Sequence, residues 1–172
     1  MGYNSRLSTL LGMKENVMVT PKDNPGVIGR PPLLYLGALV IVLVLRWFWR
    51  MPIFGHGIAL WPGLALVATG VGIAAWGRKT LQAAGTNVNP ALPTTAIVTS
   101  GPFRFSRNPL YLSLTLIFCG LTLAFNTWWG VAMLLPLLGI MHCGVVLREE
   151  RYLDQKFGET YRQYRSNVRR YF

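Results

Sequence analysis

Negative charge is what this sequence has least of: six Asp and Glu stand against 17 Lys and Arg, and charged residues of both signs make up only 13% of the chain. A soluble domain carries about a quarter of its residues as charges, so this composition argues against one. Cysteine is nearly missing as well. Cys119 and Cys143 both fall inside apolar blocks without Cys-x-x-Cys or any similar spacing, which excludes a thiolate metal site and leaves two small apolar residues. Residues 1–31 do not read as a secretory signal, because Arg6, Lys14, Glu15, Lys22, Asp23 and Arg30 interrupt them.

What is plentiful is apolar: 52% of the residues are hydrophobic and the mean hydropathy is +0.36. They fall in long blocks separated by short basic segments, the pattern of a chain that crosses a bilayer several times. The net charge of +11 does not point to nucleic acid, since the basic residues form no stripe on a polar domain. They cap the apolar blocks, where they fit topology and anionic lipid headgroups.

Four spans are expected, all helical because a bilayer leaves no water to satisfy an open backbone. The first runs over about 33–49, after Pro31-Pro32 and before the belt of Arg46, Trp47, Trp49 and Arg50. The second covers about 58–76, where Gly70 and Ala74 form a small-xxx-small step for close helix approach. A third at about 109–125 and a fourth at about 128–147 are joined only by Asn126-Thr127, which requires an antiparallel hairpin. Every Lys and Arg except Arg46 and Arg50 then falls in the N-terminal segment, the 77–108 loop or the tail. Placing both termini and that loop on the cytoplasmic side follows. The expectation is an all-α polytopic membrane protein in three parts: a polar N-terminal segment at 1–32, a helix pair at 33–76 and a catalytic region at 77–172.

Two polar clusters carry the chemistry. Asn108 followed by Pro109 reads as a helix N-cap and a first-turn proline. The free N–H groups of that turn, with Arg104 and Arg107 beside them, form an anion site at the membrane surface. The same residues also fit a plain capped helix with snorkelling arginines. Glu149 and Glu150, a third of all the acidic residues, leave the lipid side by side, where carboxylates need a cation. Beyond them Leu153, Phe157, Tyr161, Tyr164 and Val168 follow helical spacing, as in an amphipathic segment lying on the membrane or over the helix ends, with Gly158 breaking the helix. The hairpin brings both clusters to one end. Arginines and N–H groups facing paired carboxylates suit a zwitterion with an α-amino acid end.

At these residues the chain resembles the superfamily of isoprenylcysteine carboxyl methyltransferases and phospholipid methyltransferases, which are integral membrane enzymes. The likeness is carried by VTSGPFRFSRNPLYLS, residues 98–113, and REERYLDQKFGETYRQYRSNV, residues 148–168. The superfamily pattern Gly-x-(Tyr/Phe)-x-x-x-Arg-His-Pro-x-Tyr is met by Gly101, Phe103, Arg107, Pro109 and Tyr111, with Asn108 in the histidine position. An asparagine there can hydrogen-bond but cannot serve as acid or base. The resemblance implies an S-adenosylmethionine site formed by Gly101, Phe103, Arg107, Asn108, Pro109, Tyr111, Glu149 and Glu150, with no metal, and Arg107 as a catalytic residue. It also implies a lipid-side entrance for a lipid or prenylated acceptor, whether carboxylate or amine.

An amine acceptor must first lose a proton. His142 stands seven residues before Glu149 on nearly the same helix face and is a candidate base; among Gly139, Cys143 and Gly144 it equally fits a packed, hydrogen-bonded side chain. Two other classes compete: a membrane reductase of the sterol reductase type using NADPH, and a non-catalytic scaffold or lipid-binding protein.

Overall fold

A computed structural model describes residues 24–55, 57–89 and 92–171. Arg6, Lys14 and Lys22 of the expected N-terminal segment lie outside the described residues. All regular structure among the described residues is helical, in the order α1 (Pro31–Phe48), α2 (Leu60–Ala83), a 3₁₀ turn (Gly101–Arg104), α3 (Pro109–Ala124), α4 (Trp128–Met141), a π turn (His142–Val146), α5 (Leu147–Phe157) and α6 (Glu159–Asn167). Three helical stretches are long and apolar enough to cross a membrane: Pro31–Phe48, Leu60–Ala83 and the unbroken Trp128–Phe157. Pro109–Ala124 is apolar but shorter. This is the architecture of a polytopic membrane protein.

The outward faces are apolar, as a lipid surround requires. On α1, Leu36, Val40, Val44 and Trp47 are exposed along one stripe, while Tyr35, Ala38 and Val42 are buried on the other. These last three join Phe118, Leu137, Met141 and Val145 in the core. There the Tyr35 hydroxyl meets Thr115 Oγ1 at 2.7 Å, and its ring stands edge-on to Phe118 at 6.1 Å. A phenol placed in an apolar core needs such a partner.

Helices α2 and α3 pack the most closely. Gly63, Gly70 and Gly77 repeat at seven-residue intervals on one face of α2 and are all buried. A Cβ added at Gly63 would sit 2.6 Å from the Gly120 carbonyl oxygen, and one at Gly70 would sit 2.8 Å from that of Ser113. The expected small-residue contact thus exists, carried by a longer stripe than Gly70 and Ala74 alone. The first span leans on α3 and α4 rather than pairing with α2.

Both ends of the bundle are fixed by polar contacts. At one end Asn126, with φ +50°, accepts from the N–H groups of Ile53 and Phe54 and donates to the Phe54 carbonyl, closing the α3–α4 turn onto the α1–α2 loop. At the other, the Gly144 carbonyl in the π turn accepts from the Ile28 N–H at 3.2 Å, and Arg148 donates to the Gly26 carbonyl at 2.9 Å. A π turn leaves carbonyls without their usual partner in the next turn, and here one serves to anchor the segment leading into α1.

Two helices run past their expected ends. α2 continues through Gly77-Arg78-Lys79-Thr80 to Ala83, so the loop begins at Ala84. The stretch Trp128–Phe157 has 30 residues, about 45 Å at the α-helical rise, against a hydrocarbon core of about 30 Å. Its α5 portion therefore extends beyond the lipid, carrying Glu149 and Glu150. Gly158, at φ +51°, then turns the chain, and α6 folds back over the helix ends. Its Tyr161 and Tyr164 pack over the helix ends, the second of the two placements expected for the amphipathic segment.

Candidate functional site

The entry of α3 and the start of α5 meet at one end of the bundle. Pro102 and Phe103 are buried in the 3₁₀ turn, and Gly101 starts that turn at φ +58° with Thr80 so close that any Cβ would lie 2.6 Å from its hydroxyl. Gly101 is thus needed for the backbone path. Phe103 offers its carbonyl to the Tyr164 hydroxyl at 2.7 Å, which fastens α6 to the turn. Burial raises the Tyr164 phenol well above its ordinary range, so it remains a donor at neutral and moderately alkaline pH.

Glu150 is the hub of a charge cluster. Its Oε1 lies 3.0 Å from Arg107 Nη1 and 2.9 Å from Arg170 Nε, and its Oε2 lies 2.8 Å from Arg170 Nη2. Arg107 and Glu150 side chains are each only 9% exposed, and Arg107 also donates to the Tyr161 hydroxyl at 3.3 Å. A carboxylate this buried is tolerated because two guanidiniums hold it. Those hydrogen bonds in turn raise the Arg170 guanidinium above its ordinary range. The C-terminal tail locks in from the other side: the Arg169 carbonyl accepts from the Arg107 N–H, and the Arg170 carbonyl accepts from Ser106 Oγ and Asn108 Nδ2.

The Asn108 side chain is thereby committed to the tail, and the expected N-cap hydrogen bond to the first turn of α3 is absent. The helix still starts there, because Pro109 presets the first helical φ. Arg104 turns outward and stacks over the Phe105 ring at 4.4 Å, leaving Arg107 as the arginine of this segment that faces inward.

Glu149 points the other way, into a cavity of about 100 Å³. Its Oε2 accepts from the Tyr111 hydroxyl at 2.6 Å. Phe103, Arg107, Asn108, Pro109, Tyr111, Glu149, Leu153 and Tyr164 line it, together with Leu81 of α2 and loop residues from 86–88 and 94–98. Of the residues expected from sequence, the structure brings Phe103, Arg107, Asn108, Pro109, Tyr111 and Glu149 to this cavity. Glu150 sits behind it in the ion pairs. Gly101 and His142 are not among its lining; the His142 Nδ1 pairs instead with the Tyr171 hydroxyl at 2.8 Å.

Three contributors escaped sequence reasoning. Arg170 follows no periodicity, and nothing distinguishes it from Arg169 before the tail is seen folded back. Tyr164 belonged to the resembling segment 148–168 and to the helical stripe, but nothing in either pointed to its bond with the Phe103 carbonyl. The polar loop residues Thr86, Asn87 and Thr94 carry no motif at all.

Two groups are left over for a ligand. Arg107 Nε is buried with no hydrogen-bond partner among the described residues, and an orphaned buried donor is costly. Glu149 keeps acceptor capacity beyond its bond to Tyr111. A cationic donor and an anionic acceptor lining one cavity are the complement of the two ends of an α-amino acid. The cavity is below the ~300 Å³ at which ligand pockets begin.

Comparison with known proteins gives a family match: a sequence model described as phospholipid methyltransferase matches residues 58–160. A protein of Haemophilus influenzae described as uncharacterized is 38% identical over 65 residues, which make up 36% of this chain and 98% of that protein. No solved structure matches.

Proposed function

The chain belongs to the phospholipid methyltransferase family, and from that premise we propose that it transfers a methyl group from S-adenosylmethionine to a lipid-like acceptor at the cytoplasmic membrane surface. The bias of Lys and Arg supports placing both termini and the 77–108 loop on that side. The observation that supports the proposal is that Arg107, whose Nε is buried without a hydrogen-bond partner among the described residues, and Glu149 line one cavity at the hairpin end.

S-adenosylmethionine, when bound, supplies an electrophilic methyl group for in-line displacement. The protein then has mainly to align the reactants and shape the field around them. Glu149 would take the ammonium of the amino acid end, and Arg107 with the first-turn N–H groups of α3 its carboxylate. Tyr111 holds the Glu149 carboxylate in place. Phe103, Leu153 and Tyr164 present apolar surface to the remainder of the cofactor and limit water. An acceptor carboxylate is already nucleophilic, whereas an amine must be neutral before it reacts.

Purified protein incubated with methyl-labelled S-adenosylmethionine and a membrane lipid extract tests this directly. Label in a lipid product, lost in Glu149→Gln, is expected. Saturable binding of NADPH in place of S-adenosylmethionine would replace methyl transfer with reduction, and binding of neither would favour a scaffold.

A further inference from the structure

Two arginines hold Glu150, and they hold it unequally. Arg170 meets it as a fork, Nε to Oε1 at 2.9 Å and Nη2 to Oε2 at 2.8 Å. Arg107 reaches it through Nη1 at 3.0 Å, on the oxygen that Arg170 Nε already shares. In a guanidinium Nη1 and the Nε–H lie on opposite edges, and the side-on fork to a carboxylate uses the Nε edge. Arg107 thus offers Glu150 an edge without Nε, and its Nε stays buried with no partner among the described residues.

That arrangement runs against what the pair would do alone. A buried carboxylate and a single arginine gain most from two parallel N–H···O bonds, and an orphaned buried donor is costly. Both effects would swing Arg107 round to present its Nε edge to Glu150. What opposes the swing is Arg170, whose fork already takes both oxygens. Charge adds to this: two guanidiniums on one carboxylate leave a positive charge in excess, beside side chains that are only 9% exposed and so weakly screened. Arg170 itself is not among the residues lining the cavity.

The tail aims this side chain without depending on it. The carbonyls of Arg169 and Arg170 accept from the Arg107 N–H, Ser106 Oγ and Asn108 Nδ2, and the Tyr171 hydroxyl lies 2.8 Å from His142 Nδ1. We propose that Arg170 is a positioning residue for the cofactor. By occupying Glu150 with its own fork it keeps Arg107 from closing on that carboxylate, and so reserves the Arg107 Nε for the carboxylate of S-adenosylmethionine. The role rests on the methyl-transfer reading above, which supplies the ligand.

The test titrates full-length protein in detergent micelles with S-adenosylmethionine and with its decarboxylated form, which keeps the amine and the sulfonium. Arg170→Gln should bind the first about tenfold more weakly than wild type and the second within about twofold of it. A general fold defect would weaken both alike, so equal losses overturn the proposal, as does an unchanged affinity for S-adenosylmethionine. Arg170→Lys, which keeps the charge without the fork, should lose about two- to fivefold, again only for the compound with a carboxylate. It carries the comparison should the Gln variant not fold. A second measurement needs no ligand: in protein carrying isotope-labelled arginine, the Arg107 Nε–H resonance, assigned by its loss in Arg107→Lys, should move downfield in Arg170→Gln as Nε begins to donate to Glu150. A resonance that stays in place would overturn the proposal. A wild type that binds neither compound sinks methyl transfer and the ligand named here with it, whereas a wild type that binds S-adenosylmethionine beside an equally competent Arg170→Gln sinks this role alone.

Discussion

Tyr111 donates its phenolic proton to Glu149 Oε2 at 2.6 Å, joining the first turn of α3 to the first turn of α5 across 38 residues of hairpin. This bond turns one carboxylate of the adjacent pair toward the cavity, while its neighbour Glu150 turns back into the arginines. Adjacent helical residues point about 100° apart, so the two cannot share a role. Glu149 faces the cavity and Glu150 holds the fold.

The two carboxylates should therefore fail differently. Glu149→Gln is expected to weaken S-adenosylmethionine binding by roughly 10- to 100-fold with little change in thermal midpoint, because a charged hydrogen bond to the ligand is lost. Tyr111→Phe should cost only about three- to tenfold, since it loosens the carboxylate without removing it. Isothermal titration of both variants decides; an unchanged affinity in Glu149→Gln would take Glu149 out of the site.

Glu150→Gln should lower stability by about 3–5 kcal/mol, because it strips two partly buried guanidiniums of their common counterion. The tail would then lose its anchor at Arg170, and residues 168–171 should become accessible to carboxypeptidase before any other segment. A thermal midpoint within a degree or so of wild type would show that the cluster contributes little.

Gly70→Val should destabilise by about 1–3 kcal/mol, since the new side chain must push α2 off α3, where a Cβ alone would meet Ile117 at 2.7 Å. Gly72→Ala, two residues away with nothing within 4 Å of its Cβ, serves as the control and should be neutral or slightly stabilising through helix propensity. Equal effects at both positions would contradict the packing.

The Tyr164 phenol is raised above its ordinary value of 10.0, chiefly by burial. The unfolded chain thus gives up this proton before the folded one does, so stability is fully present below pH 10 and declines as pH climbs toward the folded value. Thermal midpoints between about pH 8 and about pH 11 should fall at the alkaline end, and less steeply in Tyr164→Phe. A variant with the same slope as wild type would assign the fall to other groups.

The α3–α4 hairpin and the meeting of Arg107 with the glutamates were legible in the sequence because a two-residue turn between apolar blocks leaves one arrangement. Proline after Asn108 fixed the start of α3 even though the asparagine side chain turned out to serve the tail. The ends of α2 and of the last long helix were not legible. Arg78-Lys79 and Arg148-Glu149-Glu150 mark where the lipid stops, and a helix that no longer needs lipid continues as long as its propensity and packing allow. Arg170 was hidden for a different reason: its partner lies 20 residues back, beyond a glycine break, and no repeat connects them.

The glycine stripe sets how the molecule can yield. Where backbones touch without side chains between them, a small slide meets carbonyls rather than pliable methyl groups, so α2 and α3 behave as a single stiff plate. The first helix, by contrast, meets this plate through side chains such as Tyr35 and Val42, so any yielding of the bundle falls there first. Tyr111, in the first turn of α3, then keeps its place on this plate whatever the first helix does.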